Sequence, residues 1–131
     1  MSEDRDAFEA AADLDCHVVE PLPNELFVDI DDEASALQFS VTLAIMNRDR
    51  ARPWTFRMTP SPSGQPHHFH TVVIMDEPVT DERIRLGLQA MFGSDRVREA
   101  LGWQRVRSCD TPVTCFFEKN VHLLPAPERL P

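Results

Sequence analysis

Two groups of residues in this chain have the types and spacing to do chemistry. Asp29 and Asp31 alternate along Leu26-Phe-Val-Asp-Ile-Asp31, so an extended backbone turns both carboxylates to one side. Paired oxygen donors of that kind suit Mg²⁺ or Mn²⁺, hard ions that prefer carboxylates. The second group lies in Arg57 to Met75, where a loop rich in Pro, Ser and Gly runs into a strand. Three of the five histidines fall there, at His67, His68 and His70. His68 and His70 share a strand face and suit an anion or a metal, whereas His67 points the other way. Ser61, Ser63 and Gly64 add hydroxyls and a backbone without Cβ at the same end. Plainer uses stand beside these: Asp31 or Asp32 as a helix cap, and the histidines as surface residues.

The elements that must position these residues follow from periodicity. Leu26–Asp31 reads as a strand with an apolar side of Leu26, Val28 and Ile30 and an acidic side of Phe27, Asp29 and Asp31. Asp32 caps a helix from Glu33 to about Arg48, with Leu37, Val41, Ala44 and Ile45 expected on its core side. Arg50-Ala-Arg-Pro53 ends it. Trp54–Met58 and His67–Met75 read as antiparallel strands, the latter with Phe69, Thr71, Val73 and Met75 on its second face. Thr80 caps a helix over 81–92 with a buried stripe of Ile84, Leu88 and Met91. Gly93 ends it, and Ser94 and Asp95 open a shorter one that Gly102 stops. Trp103–Arg107 is read as extended, and Pro112–Glu118 as the final strand.

That order predicts an α+β domain of the RRM-like or ferredoxin-like βαββαβ type. Two main helices would cover one face of a four-stranded antiparallel sheet, with an extra short helix and extended termini. Residues 26–120 form the expected domain, between an acidic arm over 1–25, read as a short helix or a loose segment, and a Pro-rich tail over 121–131.

Composition narrows the classes of function. A chain of 131 residues is expected to be one domain. Cys16, Cys109 and Cys115 are odd in number and form no C-x-x-C pair, which suggests a reducing setting, and a zinc site from Cys16, His17 and the later cysteines matches no familiar spacing. No apolar run is long enough to span a membrane and the acidic start lacks a basic signal-peptide region, so a soluble, cytoplasmic protein with no membrane partner is expected. The net charge of −9 is uneven: residues 1–33 hold 12 acids against one arginine, and residues 34–131 hold 10 acids against 12 basic residues. An acidic leader on a near-neutral body leaves room for a surface that repels or imitates nucleic acid. Arginine outnumbers lysine 12 to 1, which suits bidentate contacts to phosphate.

Phe27-Val-Asp-Ile-Asp31 followed by Ser63-Gly-Gln-Pro-His-His68-Phe resembles the paired catalytic motifs of the archaeo-eukaryotic primase (primase-polymerase) superfamily. In that family an RRM-like sheet supplies D-x-D for two divalent metals, and a strand entered through an S-G-rich turn supplies a histidine for the nucleotide's phosphates. The resemblance implies Asp29 and Asp31 as catalytic metal ligands for Mg²⁺ or Mn²⁺. It also implies that Ser63 and His68, with Gly64 and His70 beside them, meet the phosphates of a nucleotide or nucleic acid. Three features depart from the family: Pro66-His67 replaces the usual glycine before the histidine, none of Asp76, Asp110 or Glu118 sits in a matching context for the third acid, and the extra nucleotide- and template-binding module is not found. His68-Phe-His70 is also the His-hydrophobic-His of HUH endonucleases, which attack DNA with tyrosine; this chain has no tyrosine. Leu88–Glu99 resembles small phage and prophage proteins. The expected function is a small primase-like domain with a metal and nucleotide site, intact or degenerate. The alternative is a non-catalytic, phage-type interaction or inhibitor protein whose acidic N-terminus binds a host or viral protein.

Overall fold

The computed structural model describes residues 7–121. Its elements run α1 (Ala7–Asp13), β1 (Cys16–Val19), β2 (Glu25–Ile30), α2 (Glu33–Asn47), β3 (Thr55–Pro60), β4 (Phe69–Ile74), α3 (Glu82–Met91), α4 (Arg96–Ser108) and β5 (Phe116–Lys119). The protein is α+β, as the alternating patterns predict. β4 lies at the centre of a three-stranded antiparallel sheet in the order β2-β4-β3.

Alternation along β2 and β4 assigns the two faces of this sheet. Leu26, Val28 and Ile30 join Val73 and Met75 in the main core, where Phe39 of α2 and Trp54 and Phe92 close over them. Each such side chain, fully removed from water, contributes roughly 1.5–3 kcal/mol. Phe27 and Val72 point to the opposite face and pack beneath Phe116 of β5. The two faces follow the period of two read from the sequence.

The fourth strand of the expected sheet does not form. The segment Pro112–Glu118 is strand only from Phe116, and it pairs with β1, in register from Cys16 with Lys119 to Val19 with Phe116, as a separate two-stranded ribbon. The physical reason lies at the free edge of β2, which is already satisfied by groups from the helices. Gln89 Oε1 accepts from Phe27 N at 2.8 Å, Ser94 Oγ accepts from Asp29 N at 3.0 Å, and Asp95 N donates to Asp29 O at 3.0 Å. Arg98 Nη1 donates to Phe27 O at 3.0 Å and Arg85 Nε to Glu25 O at 3.0 Å. No backbone donor or acceptor is left there for a strand to pair with.

Three helix expectations also need correction. α2 begins as predicted, with Asp32 and Ser35 forming a reciprocal capping box. Its core side is Phe39 with Ala36, Leu43 and Met46, however, and Leu37, Val41 and Ile45 face solvent. α3 is capped by Asp81 and buries Arg85, Leu86 and Gln89, whereas Ile84 and Met91 are exposed. Of the expected stripe only Leu88 packs against the core; Arg85 and Gln89 are buried because they serve the edge of β2, which hydrophobic periodicity does not register. α4 runs through Gly102 and Trp103–Arg107 rather than stopping. A Cβ on Gly102 would lie 2.6 Å from Leu86 Cδ2, so this glycine permits close packing of α3 on α4 and does not end a helix.

At the N-terminal end α1 buries Ala7 and Ala11, and β1 is a strand within the stretch read as a short helix or loose segment. The start of the acidic arm, 1–6, and the Pro-rich tail from 122 lie outside the described residues. Cys16, Cys109 and Cys115 are free thiols.

Candidate functional site

The antiparallel register of β2 and β4 brings the two groups of residues together. Asp29 sits directly opposite His70, and Ile30 opposite Phe69. One step further, just past the end of β2 and before the start of β4, Asp31 Oδ1 and His68 Nδ1 are 3.7 Å apart. The carboxylates and His68 thus converge at one end of the sheet.

The loop before β4 is held by its own backbone and hydroxyls. Ser61 N donates to His68 O at 2.9 Å, Gly64 N to Ser61 O at 3.1 Å, and Gln65 N to Ser63 Oγ at 3.4 Å. Gly64 has φ +70°, with nothing within 4 Å of where a Cβ would be, so its role is conformational. His67 also adopts a left-handed conformation, φ 63°. A bend of the kind glycine favours is therefore made at His67, a residue type that tolerates it better than most.

A third acid enters from the helices. Asp95 caps α4, accepting from Arg98 N at 3.2 Å, while its own N–H holds the backbone of Asp29. Its carboxylate also reaches Asp31, and the consequence is electrostatic. Burial, the neighbouring Asp29 charge and a hydrogen bond to Asp95 push the Asp31 carboxyl up to about 6. Burial raises Asp29 above the usual carboxylate range, against the pull of Arg98 and His70. Sequence reading missed Asp95 because Ser94-Asp95 after Gly93 has a complete explanation as a helix cap. Its second role depends on α4 lying across the edge of β2.

His70 is more enclosed than His68. Its Nδ1 lies 3.4 Å from Glu118 Oε1, and its ring lies parallel to Phe116 with centroids 4.0 Å apart. Burial pulls its imidazole below the ordinary value, against Asp29 and Glu118. Phe116 is also parallel to Phe27 at 4.4 Å and carries the Arg98 guanidinium over its ring at 4.6 Å.

Beside this corner lies a cavity of about 580 Å³ between the β1–β5 ribbon, α4 and the loop. Asp29, Ser61, Ser63, His70 and Asp95 form its polar end, and Val97, Leu101, Val113 and Phe117 line the apolar part. Arg98, Arg105 and Lys119 bring positive charge to its walls. Asp31, Gly64 and His68 are not among its walls. The volume falls within the usual range for small-molecule sites.

As donors to a cation, Asp29, Asp31 and Asp95 are all carboxylates, and Asp31 is raised by burial and by the two carboxylates beside it, against the pull of His68. That donor chemistry fits a hard divalent ion. Among the described residues, though, no three His, Cys, Asp or Glu side chains are gathered as the ligands of an ion. This applies equally to a zinc site around Cys16 and His17, whose imidazole is 3.1 Å from Asn120 Oδ1. No helix among the described residues is long and apolar enough to cross a membrane. The chain matches no protein-family model, no curated protein and no solved structure.

Proposed function

We propose that this protein is a small primase-like domain that binds a nucleotide with Mg²⁺ or Mn²⁺ at the corner formed by β2, β4 and the start of α4. The observation that carries this reading is the convergence of Asp29, Asp31 and His68, residues brought together from separate motifs. Asp95 supports it as an acid in the position left open by the sequence, and the left-handed His67 supports it by making a bend of the kind glycine favours. The RRM-like arrangement is part of the same reading: the strand order β2-β4-β3 corresponds to three of its four strands.

Asp29 and Asp31 would hold the cation, with the Asp95 carboxylate beside Asp31, and the cation when bound would neutralise phosphate charge. The chain's own groups account for the rest. His68, half exposed beside Asp31, donates to a phosphate oxygen, and Ser63 and the Gly64 backbone face the same ligand from the loop. The apolar part of the cavity takes the base and sugar, with Arg98 and Arg105 near its polar groups. His70, held by Glu118 and Phe116, fixes the wall next to Asp29 rather than reaching outward.

Isothermal titration with Mn²⁺ and a nucleoside triphosphate tests the proposal. Wild type is expected to give saturable heat that the variant with Asp29→Ala and Asp31→Ala loses by at least about tenfold in affinity. Equal null heats for both proteins would remove it, and would leave the non-catalytic interaction protein as the better reading.

A further inference from the structure

Two arginines reach the cavity beside Asp29 from one helix, and only one of them has a counter-charge. Arg98 lies 2.9 Å from Glu99 Oε1 and donates to Phe27 O and Cys115 O at 3.0 Å each, so its charge is neutralised inside the fold. Arg105, two turns further along α4, lines the same cavity and forms no ion pair among the described residues. It is half-buried, its Nη1 donates to Pro112 O at 3.3 Å, and the Cys115 thiol, which burial keeps protonated, lies beside it. Both neighbours are uncharged. A guanidinium positioned by a carbonyl and a thiol keeps its charge for an anion that enters the cavity.

The walls fix where that anion sits. Residues 112–115 run back along α4: Pro112 O meets Arg105, Val113 O lies 3.4 Å from where a Cβ on Gly102 would be, and Cys115 O meets Arg98. The cavity therefore follows the helix from Asp95 to Arg105, with Val97 and Leu101 between them. Those ten residues span about 15 Å, and an arginine side chain leans back toward the start of its helix, which shortens the gap to about 10 Å. One end is acidic, the other cationic, and the middle apolar. On the nucleotide reading above, on which this inference rests, the 5′ phosphates sit at the acidic end through the cation, and the base and sugar lie in the middle. A base or a plain sugar brings no charge to Arg105. A phosphate on the far side of the sugar does, and its oxygens match the paired N–H groups of a guanidinium. We infer that the cavity takes a nucleotide phosphorylated on both its 5′ and its 3′ oxygens, with Arg105 holding the 3′ phosphate.

Isothermal titration of the full chain with Mn²⁺ present tests this. The probes are adenosine 5′-monophosphate, adenosine 3′,5′-bisphosphate and a 5′-phosphorylated ApA dinucleotide, with adenosine 5′-triphosphate as the reference. Wild type should bind the bisphosphate at least about tenfold more tightly than the monophosphate. Arg105→Gln should reduce that ratio to about threefold or less, and Arg105→Lys, which keeps the charge without the fork, should leave it between the two. The ratio compares two ligands on one protein, so a general loss of stability in a variant does not alter it. A gain for the bisphosphate alone assigns the site to a free mononucleotide, and a gain for the dinucleotide as well assigns it to a strand. Equal affinity of wild type for the monophosphate and the bisphosphate, or a preference that Arg105→Gln keeps, would overturn the inference while binding of the triphosphate leaves the nucleotide reading in place. Null heat with every probe and with the triphosphate would overturn both.

Discussion

Asp31 is a carboxyl held among carboxyls, and the cost appears in its titration. Its ordinary value is 3.8, and in the folded chain it reaches about 6. Between those values the folded protein keeps a proton that the unfolded chain has released. The stability this confers is fully present below about pH 4 and is lost as pH rises through about 6. Asp31→Asn needs no proton, so it should be the more stable protein above pH 6, with the difference closing toward pH 4. The Asp31 side chain keeps 36% of its surface in water. Screening therefore brings the expected gain to about 1 kcal/mol. Urea denaturation of both proteins from pH 4 to pH 7 measures it, and a gap independent of pH would mean that Asp29 and Asp95 do not press on this group. At this scale much was legible from the chain. Alternation placed Asp29 and Asp31 together, and the motif resemblance over Ser63–Phe69 singled out His68, because both signals are local. Asp95 was hidden, since its local role as a cap is sufficient and its contact with Asp31 spans more than sixty residues of sequence.

Among the elements, α3 shows why a helix can be located correctly and oriented wrongly. Its apolar residues Ile84 and Met91 lie outside, and fully buried Gln89 lies inside. Gln89 accepts from Phe27 N and donates to Glu99 at 3.2 and 3.1 Å. Gln89→Leu leaves the Phe27 amide and the Glu99 carboxylate in a dry setting without that partner. A loss of about 3 kcal/mol in urea denaturation is expected, with faster hydrogen exchange at Phe27. Retained stability would show that β2 has another way to satisfy its edge. The same pattern explains the misplaced fourth strand. Pro112–Glu118 has strand residues, but no local signal in it reveals that side chains from α3 and α4 have already filled the place beside β2. In α2 the sequence has apolar residues on both sides, and periodicity cannot tell which side meets the sheet.

For the whole molecule, the β1–β5 ribbon matters most. It places Phe116 over His70 and closes one side of the cavity, so the acidic N-terminal segment is built into the domain from α1 onward. Removing residues 1–24 takes β1 away and leaves β5 with an unpaired edge. The truncated chain is expected to unfold several degrees lower in calorimetry than the full one. An unchanged midpoint would mean that the ribbon is energetically separate from the sheet. The α+β class and most strand positions could be read from the sequence because they rest on periods of two and 3.6. The pairing of β1 with β5 could not, since the partners lie about a hundred residues apart and nothing in either segment names the other.

That separation has a consequence for the order of assembly during synthesis. The three strands bearing Asp29 and His70, together with α2, are complete by Ile74, whereas Phe116 emerges more than forty residues later. A growing chain therefore has the strands that carry Asp29 and His70 before either Asp95 or the wall over His70 exists. β1, made first of all the strands, waits for the last one to find its partner. During that interval the edges of β1 and the underside of Phe27 and Val72 are open to water. The domain closes over its own cavity only when the ribbon is joined.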